Sequence, residues 1–85
     1  MHPDKPAPNP WVELIRSARR LLDERNRLIM EKDGMQIAIF DNQIIVWADN
    51  RQPIMRLNLF YPNSNVDYYK DGWDHVVAAQ LFNSL

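Results

Sequence analysis

The stretch MQIAIFDNQIIVWAD, Met35 to Asp49, decides the fold. Apolar residues recur with a period of two on either side of Asp41-Asn42, a pair suited to the two-residue turn that joins antiparallel strands. With that turn, Phe40 lies opposite Gln43, Ile39 opposite Ile44, Ile37 opposite Val46 and Met35 opposite Ala48. Successive side chains of a strand point to opposite faces. One face therefore collects Met35, Ile37, Ile39, Ile44, Val46 and Ala48, apolar throughout, and is the core face. The other collects Gln36, Ala38, Phe40, Gln43, Ile45 and Trp47. A small hairpin usually buries one face and wets the other, so the bulky groups on this second face raise the question of what covers them.

Toward the C-terminus, the turn-forming DNRQP leads into a third strand from about Ile54 to Phe60. Its alternation sets Met55, Leu57 and Leu59 on the core side and Ile54, Arg56, Asn58 and Phe60 on the other. The segment YPNSNVDYYKDG is rich in turn formers, with Val66 to Tyr69 as an optional fourth, edge strand. Asp71 is placed to cap a last helix over about 72–83, with Asp74 three residues on as a short capping box. That helix turns Trp73, Val76, Val77 and Leu81 to one side and leaves His75 on its polar side.

Toward the N-terminus, Asn9-Pro10 is a helix start, because Asn caps and Pro suits the first helical position. Apolar residues at 11, 14, 15, 18, 21, 22, 28 and 29 fall on one stripe at about 100° per residue, predicting an amphipathic helix of roughly 20 residues. Gly34 is its expected stop. Arg25 interrupts the stripe, either packing its stem with the guanidinium reaching out or meeting a carboxylate elsewhere. Residues 1–9 carry Pro3, Pro6 and Pro8 and read as a flexible Pro-rich tail, leaving 10–85 as one domain.

The expected fold is thus a two-layer α+β domain in the order α-β-β-β-α. An antiparallel three-stranded meander, four-stranded if Val66 to Tyr69 joins, packs on a long N-terminal helix and a shorter C-terminal one. At 85 residues such a chain buries roughly 60–65% of its unfolded surface. With no cysteine, neither a disulfide nor a thiolate metal site adds to its stability. No apolar run reaches a membrane span of roughly 18 residues, and MHPDKPAPNP lacks the basic start and apolar core of a signal peptide. A cytoplasmic location is the expectation.

Little in the sequence points to catalysis. His2 and His75 are the two histidines, no Gly-x-Ser-x-Gly elbow is present, and Gly34 and Gly72 alone cannot build a phosphate-cradling loop. Asp67, Asp71, Asp74 and His75 come nearest to a metal set, but calcium-loop spacing is missing and the aspartates read more simply as helix-start residues. We expect no enzyme, cofactor, metal or small-molecule substrate.

The charge pattern narrows the partners. Net charge is −1, with +2 over 11–32 and −2 over 61–85, and neither is the pronounced basic excess of a nucleic-acid module. Arg16, Arg19, Arg20 and Arg27 make a basic helix face, the alternative nucleic-acid surface. However, Glu13/Arg16, Arg19/Asp23, Arg20/Glu24 and Asp23/Arg27 have the three- or four-residue spacing at which helix charges offset each other. The α-β-β-β-α order and the final VVAAQLFNSL resemble double-stranded RNA-binding domains, a resemblance that implies phosphate contacts from a basic cluster at the last helix start. This chain has YKDGWDH there, with a single Lys among acids.

The second sheet face is the feature that remains. Phe40, Ile45, Trp47, Ile54 and Phe60 among Gln36, Arg56 and Asn58 present on the order of 500 Å² of apolar surface, a patch size that marks interaction sites. Either the tail or the last helix folds over it, or two copies meet there, or another protein binds. The expectation is a small non-enzymatic protein-interaction module, an inhibitor, regulator or adaptor, binding another protein or a second copy of itself. Its contact residues are Phe40, Ile45, Trp47, Ile54, Arg56 and Phe60, with Tyr68 and Tyr69 as a second cluster, since aromatics and Arg dominate binding hot spots.

Overall fold

A computed structural model describes residues 9–60 and 62–85. The tail expected over 1–9 therefore lies, Asn9 apart, outside the described residues. Helix α1 spans Pro10–Arg25, strands β1 to β5 span Leu28–Lys32, Met35–Phe40, Gln43–Ala48, Pro53–Asn58 and Asn65–Tyr68, and helix α2 spans His75–Asn83. The strands form one antiparallel sheet in chain order. The class is α+β, with a helix at each end.

Helix α1 starts as its sequence dictates. The Asn9 side chain accepts the Trp11 N–H at 3.0 Å and Pro10 occupies the first turn. Leu14, Ser17, Ala18 and Leu21 are its buried residues, the spacing of one helix face. The helix is shorter than the roughly 20 residues expected. Asn26 already has extended backbone (ψ 140°) and Arg27 is left-handed (φ 66°). Between Leu22 and Leu28 runs DERNR, with no apolar residue to hold a further turn against the core.

From Leu28 the chain is a strand. Leu28 faces Ile39, Met30 faces Ile37 and Lys32 faces Met35, so β1 adds a fifth strand to the sheet. Gly34 terminates no helix. Asp33-Gly34 (φ 53° and 77°) is a two-residue hairpin turn with both residues left-handed, a conformation that favours Asp-Gly. Asp41-Asn42 (φ 46° and 62°) repeats the device one strand later. Because five strands separate the helices, the chain does not share the element order of double-stranded RNA-binding domains.

The central hairpin pairs as its alternation requires: Phe40 with Gln43, Ile39 with Ile44, Ile37 with Val46 and Met35 with Ala48. Strand β4 departs from simple alternation. Val46 pairs with Met55 but Trp47 pairs with Pro53, so Ile54 is the extra residue of a bulge. The bulge turns Ile54 inward beside Met55, and both are fully buried. Strand β5, Asn65–Tyr68, realises the optional edge strand.

Both helices cover the same face. Leu14, Ala18 and Leu21 of α1 and Ala78, Ala79, Leu81 and Phe82 of α2 pack with Ile37, Ile39, Ile44, Val46, Met55 and Leu57 in one core cluster. Small residues at Ser17, Ala18, Ala78 and Ala79 let the helices approach each other, and the Ser17 hydroxyl donates to Asn83 Oδ1 at 2.6 Å. Arg20 donates to Glu24 and to the Phe82 carbonyl at 2.8 Å, placing a cation at the C-terminal end of α2.

Helix α2 begins three residues later than expected. Its cap is Asp74, whose carboxylate accepts the Val77 N–H at 2.9 Å, rather than Asp71. Its buried face is Ala78, Ala79, Leu81 and Phe82, and Val76, expected inside, is 47% exposed. His75, expected on the polar side, is half-buried between Trp11 and Tyr68.

Candidate functional site

The sheet face turned away from the helices is the candidate site. Cross-strand pairing places Ile29 and Glu31 of β1 on it beside Ala38 and Gln36 of β2. Next come Ile45 and Trp47 of β3, then Pro53, Arg56 and Asn58 of β4, and Asp67 and Asn65 of β5. Of the residues expected there, Phe40, Ile45 and Trp47 are half-buried among their neighbours and Arg56 is exposed. Phe60, two residues beyond β4, is 49% exposed. Ile54 is not part of the surface, because the bulge commits it to the core.

The face has internal order. Trp47 and Gln36 sit directly opposite, and the indole N–H donates to Gln36 Oε1 at 2.9 Å. Ala38, which lies on this face between the larger side chains of its neighbours, is only 3% exposed. Ile45 faces Arg56, which in turn faces Asp67. The arrangement is an aromatic and aliphatic centre flanked by one cation and by a polar row of Gln43, Asn58 and Asn65. Asn58, in the middle of that row, is half-buried.

The expected Tyr68 and Tyr69 pair is split by the strand it ends. Tyr68, opposite Met55, stands on the helix-covered side, and its hydroxyl lies 2.7 Å from His75 Nδ1. The Trp11 and His75 ring centroids are 5.2 Å apart and those of Tyr68 and His75 5.6 Å. This cluster ties β5 to the first turns of both helices. Burial, and secondarily the Asp74 carboxylate, pushes the Tyr68 phenol up to about 12. Tyr69 points outward, 52% exposed, and lines a cleft of about 460 Å³ with Pro53, Lys70 and Asp71.

The four arginines of the alternative nucleic-acid surface do not share one helix face. Arg16 pairs with Glu13 at 3.3 Å, Arg20 with Glu24 at 3.0 Å, and Arg27 has left the helix and lies 3.5 Å from Asp41. Arg19 is exposed on α1. Among the described residues no group of three or more His, Asp or Glu is placed to hold a metal ion. Nor is any described helix long and apolar enough to cross a membrane.

Sequence reasoning missed Ile29, at 68% the most exposed large apolar residue among the described residues. The signal was Asp33-Gly34 between two apolar runs, a hairpin pattern hidden by reading Gly34 as a helix stop. Comparison with protein-family models, curated proteins and solved structures returns no match for this chain.

Proposed function

We propose that this chain is a small, non-enzymatic, cytoplasmic protein-interaction module that works by laying its uncovered sheet face on a larger partner, as an inhibitor, regulator or adaptor. The observation that carries the reading is the one-sided packing of the helices. Leu14, Leu21, Ala78 and Phe82 all seal the same sheet face, while Phe40, Ile45, Trp47 and Arg56 stand on the other. Aromatic groups and Arg beside amides match the composition of interface cores. The Trp47–Gln36 hydrogen bond fixes the largest of these side chains in advance, which lowers the entropy lost on binding.

Nucleic-acid binding is the weaker reading. Arg16, Arg20 and Arg27 already share carboxylates, and Arg56 faces Asp67, so among the described residues no unbroken basic track accompanies the aromatics that could stack bases.

The test is affinity capture with wild type, Trp47→Ala and Phe60→Ala side by side, each checked for folding by circular dichroism. A partner retained by wild type and lost by both folded variants supports the reading. Equal capture by all three sinks it. Retention on mixed oligonucleotides that collapses as salt rises would instead favour the nucleic-acid reading.

A further inference from the structure

An apolar groove opens in the helix layer. Helices α1 and α2 run side by side in the same direction: the Trp11 ring lies beside His75 near their starts, and Ser17 is bonded to Asn83 further along. Between them is a groove of about 290 Å³, lined by Pro10 and Glu13 of α1 and by Val76, Ala79, Gln80 and Asn83 of α2. The four α2 residues have the spacing of one helix face and extend over about 10 Å. The polar groups at the rim are set as donors. Because the Ser17 hydroxyl donates to Asn83 Oδ1 at 2.6 Å, the amide nitrogen on the other arm of that carboxamide is turned away from the bond. Gln80 adds a second, exposed carboxamide. Glu13 adds a carboxylate, whose 3.3 Å contact with Arg16 is solvent-exposed and of little worth.

We propose that this groove is the seat of the chain's own N-terminal segment, with residues 3–7, PDKPA, laid along it in extended, polyproline-like form. Those residues lie outside the described ones; their sequence and their point of attachment carry the assignment. Pro3 and Pro6 have no N–H to satisfy, and polyproline backbone bonds none of its carbonyls internally. Such a segment brings apolar rings and acceptors to a groove that offers apolar walls and donors, the chemistry by which proline-rich chains are recognised. Lys5 brings an ammonium to the Glu13 carboxylate.

Attachment favours this segment over any separate partner. Pro10 is both a wall of the groove and the first residue of α1, and only Pro8 and Asn9 stand between it and Ala7, leaving that pair to carry the reversal. Five residues at about 3.1 Å each reach about 15 Å, more than the groove requires. A tether this short holds the segment at an effective concentration in the millimolar range, so weak contacts suffice to seat it. Seated there, it covers Val76, which is 47% exposed, and leaves the Phe40, Ile45 and Trp47 face open on the other side of the sheet. The seating does not depend on that face having a partner.

Because the chain has no cysteine, a nitroxide attached to Asp4→Cys in the full chain reports by NMR where the segment sits. The amide signals of Val76, Ala79, Gln80 and Asn83 are expected to lose most of their intensity, while those of Ile45 and Trp47 keep theirs. Val76→Arg, at an exposed position, and Lys5→Glu, which sets a like charge against Glu13, are each expected to restore the lost signals largely, with folding checked by circular dichroism. Losses confined to Trp11 and Val12, beside the attachment, overturn the proposal. So do losses centred on Ile45 and Trp47, which would make the segment the cover of the sheet face. A pattern indifferent to both variants also overturns it, as does one that fades on dilution, which would assign the segment to a second copy.

Discussion

The two faces of the sheet carry similar side chains and meet different fates. Ile44 and Ile45 are neighbours on β3. Ile44 is fully buried beneath the helices, whereas Ile45, opposite Arg56, is half-buried on the uncovered side. Intrinsic strand preference cannot separate them, since both are isoleucine. What separates them is the second layer: α1 and α2 present Leu14, Leu21 and Phe82 to one face. An apolar residue stabilises a fold by the area that folding removes from water, so the same residue type is core on one side and only half-buried on the other.

The sharpest way to break the comparison is to truncate both neighbours. Ile44→Ala leaves a cavity in a fully buried site and is expected to cost about 2–5 kcal/mol, read as a fall in urea midpoint. Ile45→Ala should cost about 1 kcal/mol or less, because half-exposed atoms are already partly hydrated. Equal losses would mean that the second face is also sealed.

Helix α2, which packs on the covered face, is held at its start by the Asp74 cap. Asp74→Ala removes the acceptor for the Val77 N–H and is expected to cost about 0.5–2 kcal/mol. Asp71→Ala, outside the cap, should move thermal stability far less. On the uncovered face, Trp47→Phe keeps an aromatic ring but loses the bond to Gln36, and should cost about 0.5–1.5 kcal/mol in denaturant titration.

The smallest effect at neutral pH lies at the junction of β5 with the helices. Burial and the Asp74 carboxylate raise the Tyr68 phenol to about 12 from its ordinary 10. Between those values the folded chain holds a proton that the unfolded chain has released. Its contribution to stability is complete below pH 10 and is lost as pH rises through about 12. Tyr68→Phe should show a shallower stability loss than wild type over that window, and parallel curves would place the phenol in a more exposed setting.

Much of the sheet was legible because its information is local. Asp41-Asn42 sets a two-residue turn, the turn sets the register, and the period of two assigns the faces, so the pairing from Met35–Ala48 to Phe40–Gln43 needs no tertiary knowledge. Strand β1 was hidden because Leu28 and Ile29 also continue the helical stripe of α1. A short apolar run fits either period, and Asp33-Gly34 serves a hairpin as readily as a helix end. Ile54 was misassigned because a bulge shifts alternation by one residue without a distinctive local signal. Tyr68 and His75 looked exposed because their burial depends on Trp11, far away in the chain at the start of α1.

The sequence by itself determined the α+β class, the capped start of α1, and the central hairpin with its register and with Phe40, Ile45 and Trp47 on the face opposite the core. Each rests on residues within a few positions of one another, where turn chemistry and side-chain period dominate. Only the tertiary structure decided that both helices share one face, that β1 rather than β2 forms the sheet edge, that Ile54 turns inward and that Tyr68 meets His75. Those outcomes depend on which distant apolar groups pack together, and burial is a property of the assembled layers that no single stretch carries.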